Sequence, residues 1–66
     1  MHLVVNGQKQ LIEKAQNIDE LLAELGYERN AVAVAQDGSF VPKKDYPVII
    51  LKEGMELEVL VPMQGG

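Results

Sequence analysis

Apolar and polar positions alternate with a period of two along most of this 66-residue chain, and one segment shifts to a longer period. The opening "HLVVNGQKQLI" places Leu3 and Val5 on one side of a strand and His2 and Val4 on the other. Asn6-Gly7 interrupts it. That dipeptide accepts the positive φ of a two-residue turn, so the segment predicts a β-hairpin.

The longer period lies in "NIDELLAELGYE". Ile18, Leu21, Leu22 and Leu25 follow i, i+3, i+4, i+7 and predict one helix with one apolar stripe. Asn17 is placed to cap its first turn, with Glu20 reaching back in a variant of the capping box. Gly26 stands where a helix stops. Asp19, Glu20 and Glu24 fall on the polar side and read as a solvated face.

Period two then returns. "AVAVAQDGSFV" predicts a strand, a turn at Asp37-Gly38 and a short returning strand, ended by Pro42, which has no N–H to donate. "KKDYP" is a polar excursion with room for one helical turn, "VIIL" is a compact apolar run, and "ELEVLV" is the last strand. One helix with one apolar stripe must cover one face of one sheet. The expected class is α+β: a β-grasp arrangement, with a mixed sheet of four to five strands packed on one helix. In it the first and last strands lie side by side and parallel at the centre.

Strand parity sorts the residues further. Leu57, Val59 and Val61 should meet the helix with Leu3, Val5, Val32 and Val34. Leu60, Val4, Ala33 and Ala35 are left on the opposite face of three adjacent strands. An apolar patch on the open face of a sheet is a candidate docking surface for a partner. Phe40 and Tyr46 are expected at the edge of the core, His2 on an exposed strand position, and Lys43 and Lys44 in solvent.

Composition narrows the chemistry. The chain has one domain's length, 47% hydrophobic residues and no cysteine, so a compact core rather than disulfides must hold it. Thiol nucleophiles and redox pairs are excluded, and one histidine cannot build a metal site alone. Ten acidic and six basic residues give a net charge of -4, which argues against nucleic acid, where a basic surface supplies the affinity. The start "MHLVVNGQ" lacks the pattern of a signal peptide, and no stretch approaches a membrane span. A cytoplasmic protein, monomeric when free, is the expectation.

The chain ends "VPMQGG". Terminal glycines can be a loose end. They can also form a tail slim enough to thread a channel that any Cβ would block, delivering the α-carboxylate of Gly66. A carboxylate must be activated before a nucleophile can displace its leaving group. No phosphate-binding glycine loop is present, because Gly7, Gly26, Gly38 and Gly54 are scattered over turns. Activation therefore falls to a partner that uses ATP, and the chain itself is expected to bind no cofactor and to be a substrate rather than an enzyme.

Over its whole length the sequence resembles the ThiS family of sulfur carriers, within the ubiquitin-like β-grasp superfamily. The segments that carry the resemblance are "VVNGQ", "DELLAELG", "VAVAQDGSFVP", "EGMELEVL" and the terminal "GG", with Tyr46 four residues after Val41-Pro42. The resemblance implies that a ThiF-type E1-like adenylyltransferase adenylates Gly66. A cysteine-derived sulfur donor then converts it to a thiocarboxylate, and a ThiG-type thiazole synthase takes the sulfur for the thiazole ring of thiamine. Gly65 and Gln64 would thread the partner's channel, in a flexible tail of about residues 63–66. Gln36, Asp37, Tyr46 and Met55 depart from residues common in the family and leave the pathway open. A carrier for molybdopterin synthesis, a ubiquitin-like protein modifier and an interaction domain with an incidental tail stay open as alternatives.

Overall fold

Asn6 and Gly7 turn the first hairpin with φ of 53° and 79°, the pair of left-handed conformations that a type I′ turn requires. The computed structural model describes residues 1–62. The turn joins β1 (His2–Val5) to β2 (Gln8–Leu11) with Val5 opposite Gln8 and Leu3 opposite Gln10. Asp37 and Gly38 repeat the device with φ of 51° and 83°. They join β3 (Ala33–Gln36) to the two-residue β4 (Ser39–Phe40). The last strand, β5 (Glu56–Leu60), pairs parallel with β1 and antiparallel with β3, giving the order β2-β1-β5-β3-β4. The mixed sheet and its central parallel pair match the arrangement expected from the sequence.

The helix α1 (Ile18–Leu25) makes the crossover between the hairpin and β3. Asn17 has extended backbone geometry, and its Oδ1 accepts from the Glu20 N–H at 2.8 Å, satisfying a first-turn donor. Gly26 stops the helix at φ 85°. The Tyr27 N–H then closes back on the Leu22 carbonyl at 2.8 Å, as a left-handed C-terminal turn does. The capping box differs from expectation: the Glu20 carboxylate accepts from the Gln16 N–H at 2.9 Å, one residue before the cap.

Leu3, Val5, Val34, Leu57 and Val59 on the inner face of the sheet pack against Ile18, Leu21 and Leu22 of α1. Val32 joins them from just before β3. Leu25 is only partly buried. Val61, expected in this layer, is 61% exposed, because β5 ends at Leu60 and no strand pairs beyond it. The remaining core comes from connections: Ile12, Ala15, Tyr46 and Leu51. Tyr46 is 1% exposed and so lies inside the core rather than at its edge. Its carbonyl accepts from the N–H groups of Ile18 and Asp19, and the Arg29 guanidinium lies 5.5 Å from its ring centre. In the apolar run before β5, Leu51 is buried while Val48 and Ile50 are exposed. Lys43–Asp45 form the single helical turn for which the sequence leaves room. Among the described residues, no helix is long and apolar enough to cross a membrane.

Candidate docking face and the strand that carries the tail

Among the described residues no helix covers the outer face of the sheet, and register decides what stands on it. Leu60 lies opposite Ala33, Glu58 opposite Ala35, and Ala35 opposite Phe40 across the narrow β3–β4 turn. Val4 lies opposite Glu56 on one side and Lys9 on the other. The four residues picked from parity therefore share one face, and they differ in access. Leu60 is 45% exposed, and Val4 and Ala33 are half-buried. Ala35 is 5% exposed and contributes no surface, which corrects its place in the patch. Its methyl stands between the longer side chains of Phe40 and Glu58 on the neighbouring strands.

Phe40 supplies what Ala35 does not. It is 69% exposed on this outer face and away from the core edge where the sequence reading placed it. A signal existed: a two-residue turn at Asp37-Gly38 forces Ala35 and Phe40 to pair and so to share a face. The face thus carries Leu60, Ala33 and Phe40 towards the end of β5, with the carboxylates of Glu56 and Glu58 along that strand separating them from Val4, which stands between Glu56 and Lys9. A complementary partner would present apolar groups flanked by basic ones.

The strand bearing Leu60 is followed in the sequence by Val61, Pro62 and residues 63–66. Gln64, Gly65 and Gly66, the tail residues on which the sequence reading put the chemistry, lie outside the described residues. What is described is how β5 is held. The Val4 N–H donates to Met55 and the Asn6 N–H to Leu57 at 3.0 Å. One step further on, the Asn6 side chain takes over from the β1 backbone. Its Oδ1 accepts from the Val59 N–H at 2.8 Å, and its Nδ2 donates to the Val59 carbonyl at 3.2 Å.

The acidic side of α1 is occupied rather than merely solvated. Glu24 accepts from the N–H groups of Glu13 at 2.8 Å, Lys14 at 3.0 Å and Ala15 at 2.8 Å. With Glu20 on Gln16, two carboxylates bind four consecutive amides of the β2–α1 connection. The Glu13 N–H, then those of Lys14 and Ala15, hold the Glu24 carboxyl below the usual carboxylate range. Asp19 pairs with Arg29 at 2.8 Å. Each helix carboxylate thus has a structural partner. His2 sits beside Glu53 at 3.6 Å on an exposed strand, as expected of a surface residue. Among the described residues, no three His, Cys, Asp or Glu side chains converge as metal ligands would.

A mixed five-stranded sheet with one crossing helix and an apolar outer face defines a protein of the ubiquitin-like β-grasp class. A family model described as the ThiS family matches residues 3–66, and the chain belongs to that family. The crystal structure of the thiamine biosynthesis protein (ThiS) from Geobacter metallireducens superposes with a TM-score of 0.82. It is 30% identical, with all of both chains covered. An NMR solution structure of a thiamine biosynthesis protein from the same organism gives a TM-score of 0.81 at 30% identity, covering all of this chain and 88% of that one. A protein from Paramagnetospirillum magneticum named thiazole synthase is 33% identical over 66 residues. The chain spans only 20% of that relative's length. The family match and the superposition on thiamine biosynthesis proteins support a sulfur-carrier role in thiamine biosynthesis.

Proposed function

We propose that Gly66 is the reacting residue and that the outer face docks the enzymes that act on it. An E1-like adenylyltransferase joins the Gly66 carboxylate to AMP from ATP, releasing pyrophosphate. A sulfur nucleophile derived from cysteine then attacks the activated carbonyl, AMP departs, and a thiocarboxylate remains. That group carries sulfur to a thiazole synthase. The chain supplies no catalytic residue; it presents an electrophile-to-be on a tail, with Gly65 and Gln64 in the partner's channel.

The observation that carries this reading is the continuity of β5. Its residues alternate between core and outer face as far as Leu60, and in the sequence Gly65 and Gly66 follow Leu60 by five and six positions. Gly66 follows Leu60 by six residues, so the carboxylate lies at most about 21 Å from the patch. A docked partner therefore has the reacting group within reach. The resemblance to one region of a protein named thiazole synthase supports a ThiG-type enzyme as the acceptor.

The test is the intact mass of the protein after incubation with ATP, an E1-like adenylyltransferase and a cysteine-fed sulfur source. A gain equal to exchanging one oxygen for one sulfur, abolished by deleting Gly66, is the expected result. No gain, with the same enzymes active on another carrier, would overturn it.

A further inference from the structure

The geometry points to Asn6 as the positioning residue that sets where the C-terminal strand leaves the sheet. This inference rests on the carrier reading above. β1 ends at Val5, and the chain turns back at Asn6-Gly7, yet β5 continues to Leu60. Val5 is level with Leu57, so the β5 residues beyond that level have no β1 backbone beside them. Leu60 and Glu58 face β3, opposite Ala33 and Ala35. The N–H and C=O of Val59 point the other way, to where β1 has already turned off.

The Asn6 carboxamide fills that place. One acceptor and one donor on a short side chain reproduce the pair that an extended backbone would offer, at 2.8 Å and 3.2 Å from Val59. The left-handed φ of 53° that makes the hairpin turn is also what brings this side chain to face β5. One residue thus ends β1 and extends its pairing. Val59 is the last inward-facing buried residue of the strand and Leu60 the last paired one. Fixing Val59 fixes the point from which the tail departs relative to the docking patch. Anchoring Val59 limits the length of chain that an adenylating partner must order before the carboxylate can react, and a frayed strand would lengthen it.

Asn6→Gly is the informative variant, because glycine accepts the positive φ while the side chain that bears the carboxamide is removed. Two measurements are read on it. The first is amide hydrogen exchange, which needs no enzyme. Val59 should exchange roughly tenfold faster or more, as expected for losing two hydrogen bonds, while Leu3 and Val34 keep their protection. The second is adenylation by an E1-like enzyme, followed as ATP–pyrophosphate exchange. The maximal rate should fall several-fold with the half-saturating carrier concentration little changed, because the docking face is untouched; a general loss of stability would not give that split. If Asn6→Gly fails to fold, Asn6→Asp serves, since it keeps the acceptor for the Val59 N–H and loses the donor to the carbonyl. Its Val59 protection should then fall below that of the wild type.

Unchanged Val59 exchange would overturn the clamp. Released exchange with an unchanged maximal rate would overturn its role in positioning. If the wild-type protein itself is not adenylated, the carrier reading fails, and the exchange result still decides whether Asn6 holds the strand.

Discussion

Leu60 stands directly opposite Ala33 where β5 and β3 make their last pair, so the strand's final ladder position also presents an exposed apolar side chain on the outer face. A bulky side chain beside a small one makes a raised knob flanked by a shallow floor. A partner seated there would meet the tail next. Leu60→Glu should leave the unfolding midpoint nearly unchanged, since the side chain is outside the core. It should weaken association with the adenylating enzyme about tenfold or more, as removing an interface anchor does. Titrating the variant against that enzyme checks it, and an unchanged adenylation rate would sink the docking role of the face.

Phe40 gives an independent check of the same surface. Its ring is exposed and lies across β4 from Ala35. Phe40→Ser should change stability by no more than about 0.5 kcal/mol. Its effect on association should exceed that of substituting Lys44, which is exposed in the helical turn Lys43–Asp45, outside the sheet. Isothermal titration of both variants against the adenylating enzyme separates the cases.

Glu24 predicts an acid limb in the stability curve. Its carboxyl is held below the ordinary value of 4.5 by the amides of Glu13, Lys14 and Ala15. A depressed folded-state value means that the ionised group stabilises the fold above the unfolded-state value. That contribution is lost as pH falls from the ordinary glutamate range through the lower folded-state value. Glu24→Gln, which cannot offer two carboxylate oxygens to three donors, should melt earlier at neutral pH and lose less stability on acidification. Thermal melts between neutral pH and about pH 3 test this against the range where an unperturbed glutamate titrates. A variant whose acid limb parallels the wild type's would refute the role given to Glu24.

Tyr46 sits among the core residues, and its carbonyl receives two N–H groups from the first turn of α1. Truncating a buried aromatic to alanine costs about 3–5 kcal/mol, comparable with the whole stability of a small domain. Tyr46→Ala should therefore be largely unfolded at room temperature, whereas Tyr46→Phe, which keeps the ring, should fold. Circular dichroism and one-dimensional NMR distinguish them, and a well-folded Tyr46→Ala would show that the ring is not a core element.

Local pattern carried the elements themselves. Asn6-Gly7 and Asp37-Gly38 announced the turns because few dipeptides tolerate two positive φ angles. Asn17 and Gly26 bracketed the helix because unpaired end groups demand a cap and a left-handed stop. Parity along β5 sorted Leu57 and Val59 inward and Leu60 outward because strand side chains alternate. The family resemblance, carried on those same segments, reached the sulfur-carrier role that the comparisons support.

What parity could not supply was neighbourhood. Alternation gives a side, but Ala35 is covered and Phe40 open because of which strands lie beside them. Val61 continues the inward pattern, yet it is exposed because the sheet has run out of paired positions by Leu60. Tyr46 enters the core from an irregular segment with no period to betray it, and Glu24 finds its three amides 9–11 residues back along the chain. Asn6 meets Val59 across 53 residues. The sequence by itself determined the elements, their turns and the glycine end, because those depend on local φ, caps and alternation. Only the tertiary structure decided which carboxylates are occupied, which apolar groups face solvent and what holds the last strand, because contacts between distant residues exist only once the sheet has closed around its parallel centre.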